Sequence, residues 1–328
     1  MRAARVHEFG QPSTLVVEEV PDLTPGPGEV RIEVAAVSVN FPDLLVVSGE
    51  YQNLPERPFS PGKEAAGRIS AVGEGVTGFA VGDRVLSLME YGGYAEQLVV
   101  PAELAFPLPD AVSFEKAAAA GLVYSTAYFA FHRRVHISAG DTVLVTGAAG
   151  GVGSAGIQLA KLAGARVIAL VHSEAKAGFA RRLGADVVLT SEAETLRNDV
   201  KTVTDGRGVD IVLDMLGGNY LSQAIRAVAW EGRIIIVGFA AGGQNPIKPG
   251  HLLVKNISVH GLQGSDYRDR TPELMRDVMG EVFAHMAAGE LDIPIDRTFD
   301  LTDVSAALDH VADRLVMGKV VITVGGAS

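Results

Sequence analysis

Cysteine is absent from the 328 residues of this chain, which excludes disulfides, thiolate zinc sites and a cysteine nucleophile. Basic residues are also scarce. The 28 Lys and Arg are outnumbered by 39 Asp and Glu, and a net charge of −11 argues against a nucleic-acid partner. No apolar run is long enough to cross a bilayer, and the first ten residues have no apolar core of a signal peptide. We therefore expect a cytoplasmic protein with no membrane partner.

What is present is ordinary globular composition. Hydrophobic residues make up 48% and charged residues 20%, which rules out a disordered chain. The length predicts two domains. In the first third, Val30, Ile32 and Val34 alternate with charged residues, and frequent glycines interrupt the short strand patterns that follow. Short strands with glycine corners predict a small, strongly bent antiparallel barrel.

From Asp141 to about Gly261, apolar strand patterns alternate with helical patterns. The predicted strands are 143–146, 166–171, 186–189, 211–214, 234–237 and 257–259, and the helices are 152–162, 174–183, 193–204 and 221–230. This alternation predicts an α/β fold with a doubly wound parallel sheet. Trp230, at the end of the last of these helices, is expected to pack in the core. A long helix, 272–288, and a final strand, 319–324, follow.

A glycine-rich turn separates the first of these strands from its helix. It consists of seven consecutive residues: Gly147, Ala148, Ala149, Gly150, Gly151, Val152 and Gly153. Glycines allow the backbone to approach a pyrophosphate, and the helix N-terminus offers it N–H groups and a positive dipole end. Because the motif follows a strand, opens a helix and begins a βαβ unit, it predicts a dinucleotide site.

The end of the next strand indicates which dinucleotide is bound. NAD enzymes usually carry an acidic residue there, whereas this chain has His172 and Ser173, with Lys176 close behind. A hydroxyl and a cation suit a 2′-phosphate, so we predict NADPH. Glu174, an acidic residue one position later, favours NADH instead. Lys176 and the arginines of the same helix could also be a solvent-exposed face with no ligand.

With both halves considered, the sequence resembles the medium-chain dehydrogenase/reductase superfamily, and within it the zinc-free, zeta-crystallin-like quinone oxidoreductases. The segments that carry the resemblance are 37–43, 62–67, 82–85, the glycine turn and 255–258. The resemblance covers almost the whole chain. It implies a GroES-like catalytic domain, residues 1–122 and 265–328, and a Rossmann NADPH-binding domain, residues 123–264.

The resemblance also bears on metal binding. Zinc alcohol dehydrogenases of this superfamily have a cysteine near Asn40 and a histidine at the position of Lys63. This chain has neither ligand, and the stretch from Val85 to Gly92 is too short for their four-cysteine lobe. We therefore expect no metal and no alcohol oxidation, because no Lewis acid is available to hold an alkoxide.

Three residues are predicted to be catalytic. Asn40, in place of the metal-ligating cysteine, is expected beside the nicotinamide with its amide donating to a substrate oxygen. Tyr51 is a candidate proton source, and Thr126 matches a family threonine on the nicotinamide side. Each also has a structural interpretation, namely a turn cap, a loop anchor and helix packing, respectively. Further cofactor contacts are expected from Gly238, Phe239 and Ala240 by sheet topology, and from Asn256 and Leu262 by family likeness.

The function predicted from these residues is NADPH-dependent, metal-independent quinone reduction. A reductase of α,β-unsaturated ketones, aldehydes or enoyl thioesters is the first alternative, since both reactions need only an apolar site and one oxygen donor. An NADPH-binding structural or RNA-binding protein is the second. The sixth strand of such a sheet lies at an edge, and 257–261 carries no lysine or proline to block pairing. A homodimer is therefore predicted.

Overall fold

The computed structural model describes residues 1–325 and divides into two compact units. Unit 1 comprises Met1–Ser125 and the segment from Ser265 on, and unit 2 comprises Thr126–Gly264. The first division falls inside helix α2, Phe114–Tyr128, and the second at the start of α8, Gly264–Arg270. Each unit has its own sheet.

Unit 1 contains a mainly antiparallel sheet of seven strands in the order β14-β15-β3-β4-β5-β7, with β6 also paired to β3. Its strands are β3 Glu29–Val39, β4 Glu64–Val72, β5 Arg84–Leu88, β6 Gln97–Pro101, β7 Ala105–Pro107, β14 Ile295–Asp300 and β15 Lys319–Thr323, and β1 Arg2–Arg5 pairs with β2 Val16–Glu19. Val30, Ile32 and Val34 are buried, as their alternation predicts. The pairing of Val320 with Val39 brings the first residue of β15 next to the end of β3.

Helices and short helical turns accompany this sheet. They are α1 Phe41–Ser48, α2, α8, α9 Pro272–Ala287 and α10 Val304–Ala312, with 3₁₀ turns at Pro12–Thr14, Ala102–Leu104 and Leu301–Asp303. Helix α10 packs on β15 and α1 and buries Val304, Ala307 and Leu308 in the same core as β3 and β4. The carboxyl-terminal segment is therefore part of the unit 1 core.

Unit 2 is built on a parallel sheet of six strands in the order β10-β9-β8-β11-β12-β13. The strands are β8 Thr142–Val145, β9 Arg166–Leu170, β10 Val187–Leu189, β11 Val209–Asp214, β12 Val228–Ile236 and β13 Ser258–Gly261. The predicted doubly wound parallel sheet is confirmed. The order reverses between β8 and β11, and ligands of such sheets bind outside the carboxyl ends of the strands at this point.

The unit 2 helices are α3 Gly151–Leu162, α4 Glu174–Arg182, α5 Ala193–Val203, α6 Gly218–Ala227 and α7 Pro249–Leu253, and a π-helical turn, Phe129–Arg134, follows α2. The prediction of a helix over 221–230 is wrong at its end. β12 begins at Val228, so Trp230 lies in a strand with 65% of its surface exposed and is not a core residue. Pairing of Val228 with Val209 on β11 outweighs the helical period of the local sequence.

Among residues 1–325, no helix is both long enough and apolar enough to cross a membrane.

Candidate active site

The glycine turn of unit 2 is shaped for a close ligand. Gly147 has a left-handed backbone with φ 59°, and Gly150 caps α3 in an extended conformation. A Cβ on Gly153 would lie 2.4 Å from the carbonyl oxygen of Gly147 and 2.6 Å from Cα of Ala148, so only glycine allows the turn to close. The first-turn amides of α3, at Gly151, Val152 and Gly153, have no intrahelical acceptor and suit a pyrophosphate.

The ends of β8 and β11 are joined by a buried hydrogen-bond network that the sequence reasoning missed. Thr146 Oγ1 donates to Asp214 Oδ1 at 2.8 Å and accepts from the Met215 amide at 3.0 Å. Asp214 Oδ2 accepts from the Gly217 amide at 3.0 Å. Burial raises the pKa of Asp214, against the lowering effect of these hydrogen bonds. The network fixes both strand ends where the strand order reverses.

Ser173 and Lys176 lie at the carboxyl end of β9, on the same edge of the sheet as the glycine turn. Ser173 is the N-cap of α4, and its Oγ accepts from the Lys176 amide at 3.4 Å. Glu174, whose position argued for NADH, forms an ion pair with Arg181 at 2.9 Å on its own helix. This exposed pair engages the Glu174 carboxylate on its own helix, and Ser173 with Lys176 stay the predicted 2′-phosphate ligands.

The other predicted cofactor residues divide between the two ends of this sheet. Gly238, Phe239 and Ala240 follow β12, where the Ala240 amide donates to the carbonyl of Met215 at 2.9 Å, and Leu262 follows β13. All four lie at the carboxyl edge. Asn256, in contrast, precedes β13 with φ 54°. The structure therefore corrects its assignment, because the amino end of a parallel strand is opposite the ligand edge.

Thr126 is a buried residue of α2 that belongs to unit 2. Its Oγ1 lies 3.1 Å from the position a Cβ would take on Gly264, three residues beyond the end of β13. This proximity puts Thr126 near the carboxyl edge of the parallel sheet, which is where a neighbour of the nicotinamide is expected. Contact of Thr126 with the nicotinamide stays a prediction.

In unit 1, Asn40 belongs to a buried polar network around Glu64. Asn40 caps α1, with Asp43 Oδ2 accepting from the Asn40 amide at 2.8 Å. The Asn40 side chain donates from Nδ2 to Glu64 Oε1 at 2.9 Å, and its Oδ1 accepts from Lys319 Nζ at 2.5 Å. Both ends of the amide are therefore committed to protein partners. Burial raises the pKa of Asp43 to about 6, against the lowering effect of the Asn40 amide.

Glu64 is fully buried and joins three elements of unit 1. Its Oε1 accepts from Ser38 Oγ and lies 3.3 Å from Lys319 Nζ, and its Oε2 accepts from the Leu122 amide of α2 at 2.6 Å. A Cβ on Gly121 would lie 2.7 Å from Oε2, so glycine allows the carboxylate to reach the helix. Neither Glu64 nor Lys319 could be recognised as a site residue from the sequence, because a buried charge can be located only when its partners are known.

Tyr51 lies beside a second buried cation, Lys63, which stands where the zinc relatives have a histidine. Lys63 Nζ is 4.4 Å from the centroid of the Tyr51 ring and 2.7 Å from Glu90 Oε1. Within the described residues, no three His, Cys, Asp or Glu side chains are grouped so that they could hold a metal ion. The groups at the family's ligand positions are an amide, which is not among the usual zinc ligands, and an ammonium, which has no lone pair to offer a metal.

Comparison with known proteins gives the same picture across the whole chain. Residues 26–110 match the family model of the alcohol dehydrogenase GroES-like domain, and 151–280 match that of the zinc-binding dehydrogenases. Quinone oxidoreductase-like protein 2 homolog of Nematostella vectensis is 37% identical over 98% of this chain and 88% of its own length. The Bos taurus quinone oxidoreductase-like protein 2 is 35% identical over 98% of this chain and 92% of its own.

Solved structures extend the comparison to three dimensions. A mycobacterial protein complexed with NADPH superposes with a TM-score of 0.92 at 34% identity, covering 98% of this chain and 100% of the other. Escherichia coli quinone oxidoreductase complexed with NADPH has the same TM-score and coverages at 29% identity. The expected GroES-like and Rossmann architectures are confirmed by these matches.

Proposed function

Because the chain belongs to the medium-chain dehydrogenase/reductase superfamily, in its quinone oxidoreductase branch, we propose that it reduces quinones with NADPH and without a metal. The observation that carries the proposal is the glycine turn at the carboxyl edge of the parallel sheet, together with the NADPH complexes of two full-length structural relatives. The metal-free part is supported by Asn40 and Lys63 at the family's ligand positions.

The residues that would hold NADPH lie along one edge of the unit 2 sheet. The amides of Gly151, Val152 and Gly153 would bind the pyrophosphate, and Ser173 with Lys176 the 2′-phosphate. When bound, NADPH supplies a hydride. The cofactor's other contacts would come from the residues after β12 and β13: Gly238, Phe239, Ala240 and Leu262. Thr126 would lie beside the nicotinamide.

A quinone suits this arrangement because its electron-poor ring accepts hydride with little polarisation of its carbonyl. The protein then has to orient a flat acceptor, exclude water and donate to an oxygen that gains negative charge. An unactivated ketone or an alcohol would need a Lewis acid instead. Tyr51 is the proposed donor to this oxygen.

A panel assay tests the proposed function. We expect the purified protein to oxidise NADPH with benzoquinones and naphthoquinones, and dialysis against a strong chelator to leave the rate unchanged. Stoichiometric zinc, or a rate lost on dialysis and restored by zinc, would contradict metal independence. Turnover of enones or enoyl thioesters with no quinone turnover would favour the alternative reductase. NADPH binding with no turnover of any acceptor would favour a structural or RNA-binding protein.

Lys176 is proposed to determine the preference for NADPH. Lys176→Ala should raise the KM for NADPH about 10-fold or more, because one charge-assisted hydrogen bond to the 2′-phosphate contributes about 1.5–3 kcal/mol. The KM for NADH should hardly change. Arg182→Ala is the matched control on the same helix, since that guanidinium stacks on Phe179 at 5.8 Å. Equal KM values for both cofactors in the unaltered protein would contradict the assignment.

We also propose that two copies of the chain pair through β13. This strand is the last in the sheet order, with Ser258 and Gly261 exposed and Val259 and His260 half-buried. Burial, with smaller contributions from Arg134 and Arg233, lowers the pKa of His260, so that no charge blocks strand addition at neutral pH. Static light scattering should give about twice 34.3 kDa. Val259→Pro, which removes a ladder donor, should give the monomer, whereas Val259→Ala should not.

A further inference from the structure

Lys63 is a buried cation that the sequence analysis considered only as a missing metal ligand. Its side chain is 4% exposed, and Nζ donates to Glu90 Oε1 at 2.7 Å and to the Glu90 carbonyl at 3.3 Å. Nζ also lies 4.4 Å from the Tyr51 ring centroid and 5.4 Å from that of Tyr91. Anions and aromatic faces stabilise a buried ammonium, so these contacts hold Lys63 Nζ against the ring of Tyr51.

Lys63 belongs to a short chain of charged side chains in unit 1. Glu90 is shared, because its second oxygen, Oε2, accepts from Arg268 Nη2 at 3.0 Å. Lys63, Glu90 and Arg268 thus form a chain of two cations and one anion. Asp269 adds a second anion, because it binds Arg268 at 2.6 Å with a half-exposed side chain, so the two cations are matched by two anions. Within this chain, the Lys63 ammonium is the charge that lies against the ring of Tyr51.

Tyr91 keeps the segment that carries Tyr51 in place. Its hydroxyl donates to the carbonyl oxygen of Asn53 at 2.5 Å, and its ring packs edge-on against Phe59 with centroids 5.7 Å apart. Burial, with contributions from Glu90 and Tyr51, raises the pKa of Tyr91 to about 12. Tyr91 therefore acts as a brace, and it is unsuited to release a proton at neutral pH.

Asn40 offers less to the acceptor than the sequence suggested. Its amide oxygen and amide nitrogen are bonded to Lys319 and Glu64 in a buried network, and turning the amide towards a ligand would break both bonds. Both predicted donors of this unit lie beside a buried ammonium, but Lys319 binds the Asn40 amide itself, whereas Lys63 lies over the ring of Tyr51.

We propose that Lys63 is a positioning residue that acts through Tyr51, so that its ammonium stabilises the phenolate formed when Tyr51 protonates the oxygen of the reduced acceptor. The inference rests on the proposed function. The acceptor gains a hydride and becomes an oxyanion. The Tyr51 O–H bond then breaks, its proton forms the new O–H bond of the quinol, and the phenolate is reprotonated by water.

The test is the kcat of Lys63→Met on quinones graded by the basicity of their quinol products. Methionine keeps the length of the side chain and removes the charge. We expect kcat to fall about 10-fold for the least basic products and about 10²-fold for the most basic, as when an electrostatic donor is lost. The KM for NADPH should stay constant. Lys63→Arg, which keeps the charge, should restore most of the rate.

Two further variants separate the proposed role from a loss of stability. Lys63→Met alone leaves the Glu90 carboxylate without one of its cations. The double variant Lys63→Met with Glu90→Gln removes both charges of the pair, and it should show the same graded loss of kcat. Lys116→Met, at an exposed lysine paired to Asp292 at 2.7 Å, should leave kcat unchanged. Because Lys63 acts through Tyr51, adding Lys63→Met to Tyr51→Phe should cost little beyond Tyr51→Phe alone.

Three outcomes distinguish the proposed role of Lys63 from the alternatives. A loss that grows with product basicity and is absent in the Tyr51→Phe background supports the proposal. A loss equal for all quinones, or fully additive with Tyr51→Phe, overturns it while leaving quinone reduction standing. An unaltered protein that reduces no quinone overturns the proposed function, and with it this inference.

Discussion

Replacing Glu64 by glutamine is expected to lower the free energy of unfolding by about 3–5 kcal/mol, the usual cost of removing one partner of a buried ion pair. Glu64 has no exposed surface and accepts from Ser38, Asn40, Lys319 and the Leu122 amide. Glutamine would leave the Lys319 ammonium buried without its carboxylate. The glutamine NH₂ group would also face the N–H or O–H donors that now bind a carboxylate oxygen of Glu64.

Equilibrium urea unfolding followed by far-ultraviolet circular dichroism measures this loss. The double variant Glu64→Gln with Lys319→Met, which removes both charges, should recover part of it, because neither charge is then left unpaired. Lys116→Met is the matched control, since the Lys116–Asp292 pair is largely exposed and should contribute at most about 1 kcal/mol. A Glu64→Gln variant as stable as the unaltered protein would show that the network contributes nothing to stability.

Replacing Gly153 by alanine is expected to weaken NADPH binding by about 10²-fold. The new Cβ would lie 2.4 Å from the Gly147 oxygen, about 1 Å inside van der Waals contact, and the neighbouring atoms at 2.6 and 2.8 Å are also backbone. Backbone atoms cannot rotate away, so the whole turn must open. A displacement of about 1 Å in a positioning element can cost about 10²-fold in rate, and we expect a loss of the same order in NADPH affinity.

Isothermal titration with NADPH measures the effect directly. Gly280→Ala is the matched control, since a Cβ at that helical glycine would meet nothing within 4 Å, and NADPH affinity should be unchanged there. Gly150→Ala separates the turn from the ligand. Its Cβ would meet only the Gly147 oxygen, at 3.4 Å, so the fold should tolerate it. NADPH affinity should then fall only if the cofactor packs against that residue.

Much of unit 2 could be predicted from local sequence. Its central strands, β8, β9 and β11, are largely buried and its helices are amphipathic, so these elements have recognisable periods, and the glycine turn has its own steric requirement. These signals need no distant partner. Local prediction fails where a distant partner determines the structure. Pairing with β11 makes the segment around Trp230 a strand, and Asn256 lies away from the ligand edge because it precedes β13.

The sequence by itself determined the chemistry that is excluded, the alternation of strands and helices in unit 2 and the dinucleotide turn, because composition and spacing are properties of the chain. Only the tertiary structure decided which charges are buried and what they touch. Lys319 is 279 residues from Asn40, yet the pairing of β15 with β3 makes them hydrogen-bond partners. Lys63 and Arg268 likewise meet only through Glu90. A charged side chain has no periodic signature, and its effect depends on neighbours that folding alone brings together.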